Sequence, residues 1–143
     1  MLKGIPKIIS PELLKILCEM GHGDEIVIAD ANFPAANYGK RVIRAEGVSG
    51  TEMLDAVLKL FPLDTYVKEN FILMELVPDD VGKVDPVIWG EYQSIANQND
   101  PDVRVGMMER FAYYDRAKEA YAVISTGEEA IYANIILKKG IIK

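Results

Sequence analysis

Met20-Gly21-His22-Gly23-Asp24-Glu25-Ile26-Val27-Ile28-Ala29-Asp30 decides the fold class. The stretch places the protein's single histidine between two glycines, continues with an unbroken apolar run from Ile26 to Ala29, and ends on a carboxylate. An apolar run of that length suits a strand covered on both faces, as in parallel sheets packed between helices. The flanking glycines permit a tight turn before the strand and close approach of a ligand. In open α/β sheets ligands bind beyond the carboxyl ends of strands, which is where Asp30 falls. The expectation is one small cavity flanked by an imidazole, which titrates near neutral pH, and by a carboxylate. Two plainer readings stand beside it: Gly21 as a helix cap with His22 merely on the surface, and Asp30 as a turn cap.

Upstream, Ser10-Pro11-Glu12 carries a capping hydroxyl, a proline for the first helical position and an acid for the first turn. Leu13, Ile16, Leu17 and Met20 recur at helical spacing, and Cys18 in the same helix reads as a small buried apolar group. Downstream, Ala31–Lys40 is a loop long enough to build a pocket, with Phe33 as an apolar wall, and Val42–Ala45 is a short strand. Ser49-Gly50-Thr51-Glu52 has capping-box spacing ahead of a helix that Pro62 stops. Phe71–Met74 is a buried strand, Val77–Gly82 a loop with solvated charges, and Asp85-Pro86 a third helix start. Val103, Val105 and Met107 alternate with Arg104 and Gly106 as a strand with one face less buried. A short helix at Glu109–Ala117 and strands at Ala122–Ser125 and Ile131–Leu137 complete a single α/β domain over residues 1–143.

With 143 residues, half of them hydrophobic, the chain is large enough for a substantial core. A net charge of −6 with no basic cluster argues against nucleic acid or an anionic membrane as partner. One cysteine allows no intrachain disulfide, and MLKGIPKIISPELL lacks the apolar stretch of a secretory leader, so the expected setting is the cytoplasm. Gly21-x-Gly23 lacks a third glycine and precedes a strand, so it is no phosphate loop. One His and one Cys do not make a usual zinc site, and no nucleophile elbow is present.

The remaining chemistry lies in polar groups at element ends: His22, Asp30, Asp64, Arg110, Tyr114, Tyr132 and Asn134. Carboxylates, guanidinium and carboxamide supply donors and acceptors at fixed angles, the set that hydroxyl-rich ligands need. Tyr132 and Asn134, two apart in the expected closing strand, face the same way and point to binding, since a buried carboxamide needs partners. Tyr113 and Tyr114 read as packing residues of a short helix.

Met20-Gly-His22-Gly-Asp24-Glu25, Asp30-Ala-Asn-Phe-Pro34, Val42-Ile-Arg-Ala45, Leu63-Asp-Thr-Tyr66, Glu109-Arg-Phe-Ala-Tyr-Tyr114-Asp-Arg-Ala117 and Tyr132-Ala-Asn134 together resemble the RbsD/FucU family, from about Leu2 to Lys139. Asn32-Phe33-Pro34 and the Glu109–Ala117 segment resemble its L-fucose mutarotase branch more than its D-ribose pyranases. The resemblance implies a three-layer α/β/α domain with a mostly parallel, mixed sheet. It implies a sugar mutarotase that interconverts the anomers of L-fucose with no cofactor and no metal, in a ring-shaped homo-oligomer with sites at subunit contacts. By the same resemblance His22 is a proton donor and Tyr114 a second catalytic group. Asp30, Asp64, Arg110, Tyr132 and Asn134 would contact sugar. Ala133 departs from the Tyr-Gly-Asn of many relatives. Mutarotation itself needs an acid and a base, not a nucleophile, and an imidazole with an ordinary pKa of about 6.5 serves in either role. A ribose pyranase and a non-catalytic sugar-binding module are the alternatives.

Overall fold

The computed structural model describes residues Met1–Lys143, and helices and strands alternate along them. The order is α1 (Pro11–Glu19), β1 (Glu25–Ala29), α2 (Ala35–Tyr38), β2 (Val42–Ala45), α3 (Gly50–Leu58), β3 (Phe71–Met74), α4 (Ile88–Asn99), β4 (Val105–Met108), α5 (Arg110–Glu119), β5 (Ala122–Thr126) and β6 (Ile135–Lys138). A 3₁₀ turn, Pro78–Asp80, lies between β3 and α4. No helix is long and apolar enough to cross a membrane.

The six strands form one sheet in the order β2-β5-β1-β6-β3-β4. β1 pairs with β5, β2 with β5, and β3 with β4, all parallel; β6 pairs antiparallel to β1 and β3. Five strands therefore share one direction and β6 alone runs against them. Side chains along β1 alternate between two cores. Ile26 and Ile28 join α1, α3 and α4 on one face, while Val27 and Ala29 join α2 and α5 on the other. The result is the three-layer α/β/α arrangement with a mostly parallel, mixed sheet. The β1 side chains from Ile26 to Ala29 are wholly buried, which accounts for the absence of alternation in their sequence.

The local signals at α1 and α3 hold in detail. The Ser10 hydroxyl accepts from the Leu13 N–H, and Ser49 and Glu52 form a reciprocal capping box. The sequence and the structure part at four places. Cys18 is exposed, because the inward stripe of α1 is Leu13, Ile16 and Leu17 and Cys18 lies beside it. The helix signalled by Asp85-Pro86 begins at Ile88, with no side-chain cap. In β4 the apolar Val105 and Met107 face outward, 39% and 40% exposed, while Gly106 is buried. The expected strand Ile131–Leu137 starts only at Ile135. Ahead of it, the Tyr132 and Ala133 carbonyls are taken by α4: Trp89 Nε1–H donates to Tyr132 O at 2.9 Å and Tyr92 O–H to Ala133 O at 3.1 Å. Those two carbonyls turn to α4 rather than to a neighbouring strand. Gly50 makes this possible, since a Cβ there would stand 1.8 Å from the Tyr92 hydroxyl.

Candidate active site

A cavity of about 290 Å³ opens at the carboxyl edge of the parallel strands. β1 delivers Asp30 to it, β3 delivers Met74, and the first turns of α5 deliver Arg110 and Tyr114. β6, running the other way, is entered here, so Tyr132 and Asn134 reach the same cavity from its amino-terminal end. Phe33, Val77 and Ile131 supply apolar wall. Five of the seven candidate residues are thus brought together: Asp30, Arg110, Tyr114, Tyr132 and Asn134.

Asp30 and Asn134 form a buried reciprocal pair. Asn134 Oδ1 accepts from the Asp30 N–H at 2.8 Å, and Asn134 Nδ2 donates to Asp30 Oδ2 at 3.0 Å. Asp30 Oδ1 accepts from the Asn32 N–H at 3.0 Å. Burial pushes the Asp30 carboxyl above its ordinary pKa, while the Asn32, Ala133 and Phe33 backbone N–H groups and the Asn134 amide pull the other way. These donors fix the carboxylate in the cavity wall, placed to accept hydrogen bonds from sugar hydroxyls.

α5 owes its start to Glu109, whose carboxylate accepts from the Phe111 and Ala112 N–H groups at 3.0 Å each. One helical turn separates Arg110 from Tyr114, and Arg110 Nε donates to the Tyr114 hydroxyl oxygen at 3.3 Å. The proton of Tyr114 is left free to be donated onward. Tyr113, by contrast, is fully buried in the core, as a packing residue should be. Tyr114 therefore departs from the packing role expected for both tyrosines: it lines the cavity, tilted against Phe33 and stacked on Tyr38.

His22 and Asp64 are elsewhere. His22 sits at the tip of the turn between α1 and β1, where Gly23 takes φ 88° and the Gly23 N–H donates to Lys139 O at 2.8 Å. His22 Nε2 lies 3.0 Å from Asp64 Oδ1, its side chain is 43% exposed, and its ring packs against Tyr66. Burial raises the Asp64 carboxyl, but the Tyr66 N–H and His22 together hold it below its ordinary value of 3.8. Asp64 is a buried partner that orients the imidazole. The expectation of one cavity flanked by His22 and Asp30 does not hold within a chain. The two residues stand at opposite ends of β1, whose five residues span roughly 15 Å, more than a monosaccharide ring can bridge.

Sequence reasoning also misses Asp80, read as a solvated loop charge. It lines the cavity and accepts the Tyr132 hydroxyl proton at 2.5 Å. No cluster of three His, Cys, Asp or Glu side chains is placed to hold a metal ion.

Residues 3–142 match the model of the RbsD / FucU transport protein family. A fucose mutarotase of Danio rerio is 52% identical over 145 residues, an alignment that covers 99% of this chain and 94% of that protein. The crystal structure of the fucose mutarotase from Streptococcus pneumoniae in complex with L-fucose is 48% identical, with a TM-score of 0.92 over 99% of this chain and 100% of that one. FucU from Bifidobacterium longum is 54% identical, with a TM-score of 0.94 and the same coverage.

Proposed function

Because the chain belongs to the RbsD/FucU family, we infer that it is an L-fucose mutarotase, an isomerase that interconverts the α and β anomers of the sugar. The observation that carries this reading is the cavity itself: a buried carboxylate–carboxamide pair, a guanidinium and two phenols, arranged as fixed donors and acceptors for several hydroxyls. The apolar wall of Phe33, Met74, Val77 and Ile131 suits the methyl group of a 6-deoxy sugar.

The reaction breaks the C1–O5 bond of the cyclic hemiacetal. A proton is delivered to the ring oxygen as the proton of the anomeric hydroxyl is removed, leaving an open-chain aldehyde. Rotation about C1–C2 presents the other carbonyl face, and O5 adds back with the protons returned. His22 is the proton donor, oriented by Asp64. Tyr114, whose oxygen already accepts from Arg110, is the second proton-handling group. Asp30, Arg110, Tyr132 and Asn134 hold the hydroxyls.

His22 reaches the sugar from a second copy of the chain. Each protomer carries two half-sites at opposite ends of β1, and a heterologous contact that joins the His22–Asp64 end of one copy to the cavity of the next completes a site. Repetition of such a contact closes a ring. The surfaces beside both half-sites support this: Phe111, next to Arg110, and Tyr66, packed against His22, are each 66% exposed, and the edge strand β4 turns apolar Val105 and Met107 outward. The cytoplasm is the proposed setting.

The test is saturation-transfer NMR between the anomers of L-fucose, D-ribose and D-galactose. Accelerated exchange is expected for L-fucose above the other two. Pyranose–furanose exchange of D-ribose as the dominant activity would favour the pyranase reading, and saturable binding with no acceleration of any sugar would favour a binding module.

A further inference from the structure

Tyr132 is the one non-glycine residue with a left-handed backbone, at φ 60°. Side chains rarely adopt that conformation without being held in it. Three hydrogen bonds from two other segments hold this one. Trp89 grips its carbonyl, the Val77 N–H donates to its hydroxyl oxygen at 3.3 Å, and the hydroxyl itself donates to Asp80 Oδ2 at 2.5 Å. Asp80 is in turn fixed by its own backbone, in a 3₁₀ turn whose last carbonyl accepts from Lys83 and Val84 at 3.0 Å each.

A phenol has one proton and two lone pairs. In Tyr132 the proton is committed to Asp80 and one lone pair to Val77, so a single lone pair remains for the cavity. Resting on the reading of that cavity as a sugar site, we propose that Asp80 is a positioning residue that turns Tyr132 into an obligate hydrogen-bond acceptor for one sugar hydroxyl. Its neighbour across the cavity has the opposite polarity: Tyr114 accepts from Arg110 and keeps its own proton to donate. The two phenols therefore select for a sugar that offers a donor on one side and an acceptor on the other. The carboxylate also keeps Tyr132 neutral: burial, and then the bond to Asp80, raise its pKa above the ordinary value of 10.0.

The experiment compares wild type, Asp80→Asn, Tyr132→Phe and the double variant, with ¹³C-labelled tyrosine in each chain that retains Tyr132. The Tyr132 Cζ resonance, identified by its disappearance in Tyr132→Phe, should move upfield in Asp80→Asn as the charged acceptor is lost. The half-saturating L-fucose concentration for anomer exchange should rise about tenfold in Asp80→Asn, with a smaller change in the saturated rate, and Asp80→Asn should add nothing in the Tyr132→Phe background. An unmoved Cζ resonance would overturn the proposal. So would an equal loss from Asp80→Asn in both backgrounds, which would mean that Asp80 touches the sugar itself. If the wild type accelerates no exchange, the mutarotase reading falls, while the Cζ resonance still decides whether Asp80 directs Tyr132.

Discussion

His22→Ala is expected to remove the enzyme's acceleration of anomer exchange, a loss of about 10²–10⁴-fold, while leaving sugar affinity largely in place. That range is what positioned proton transfer supplies, and no other imidazole exists in the chain to replace it. The ring is partly exposed at a turn tip, so its removal opens no core cavity. Its one side-chain hydrogen bond is to Asp64. With the partner gone, the Asp64 carboxyl should rise from its depressed value, and the sign of the consequence is definite. A carboxyl whose pKa is lower in the folded than in the unfolded state stabilises the fold above the unfolded value and loses that contribution as pH falls through the folded one. The variant should therefore be slightly less stable than wild type near pH 7, by less than about 1 kcal/mol because the imidazole is 43% exposed, and the two should converge as pH falls below the ordinary carboxylate value of 3.8. Thermal melting across pH checks the second part, and saturation-transfer NMR checks the first. Exchange at the wild-type rate in His22→Ala would show that the proton comes from another group.

Asn134→Ala should damage both affinity and stability. Its carboxamide satisfies the buried Asp30 N–H and one oxygen of the Asp30 carboxylate at once. An orphaned buried N–H costs about 1–3 kcal/mol, and a bond to a charged group is worth about 1.5–3 kcal/mol. Against a typical total of about 5–15 kcal/mol the protein should remain folded at room temperature, with a melting temperature several degrees lower. Removing the amide that pulls the Asp30 carboxyl down should raise its pKa further. Sugar binding, measured by calorimetry, should then fail at a higher pH than in wild type, because a protonated Asp30 has lost acceptor capacity. Affinity and melting both unchanged would mean that the pair contributes to neither.

What was legible in the sequence was whatever local chemistry determines. The apolar runs at Ile26–Ala29 and Phe71–Met74 mark strands because a segment buried on both faces has no polar positions to confuse the pattern. Ser49 and Glu52 mark a helix start because a capping box is complete within four residues. Tyr132 and Asn134 show the limit of pattern. Their spacing suggests one strand face and they do share a cavity, but a left-handed backbone brings them there, imposed by Trp89 and Tyr92 from more than 40 positions away. Asp80 was hidden for the same reason, since its partner lies 52 residues on. The outward apolar side of β4 misleads alternation, because Val105 and Met107 are apolar yet lie on the exposed face, while the buried position is Gly106. His22 and Asp30 adjoin the same strand, and only the strand's length reveals that one chain cannot bring them to one sugar.

That separation makes the shared site the central claim, and complementation tests it most directly. His22→Ala and Asn134→Ala, each nearly inactive alone, are expressed together, and co-assembly is confirmed by native mass spectrometry. In randomly mixed oligomers about one pocket in four should join an intact His22 to an intact Asn134 from the adjoining copy. Anomer exchange should therefore return to roughly a quarter of the wild-type rate per pocket. Mixed oligomers whose exchange stays at the level of the parents would contradict the account, because a site complete within one chain gains nothing from its neighbour.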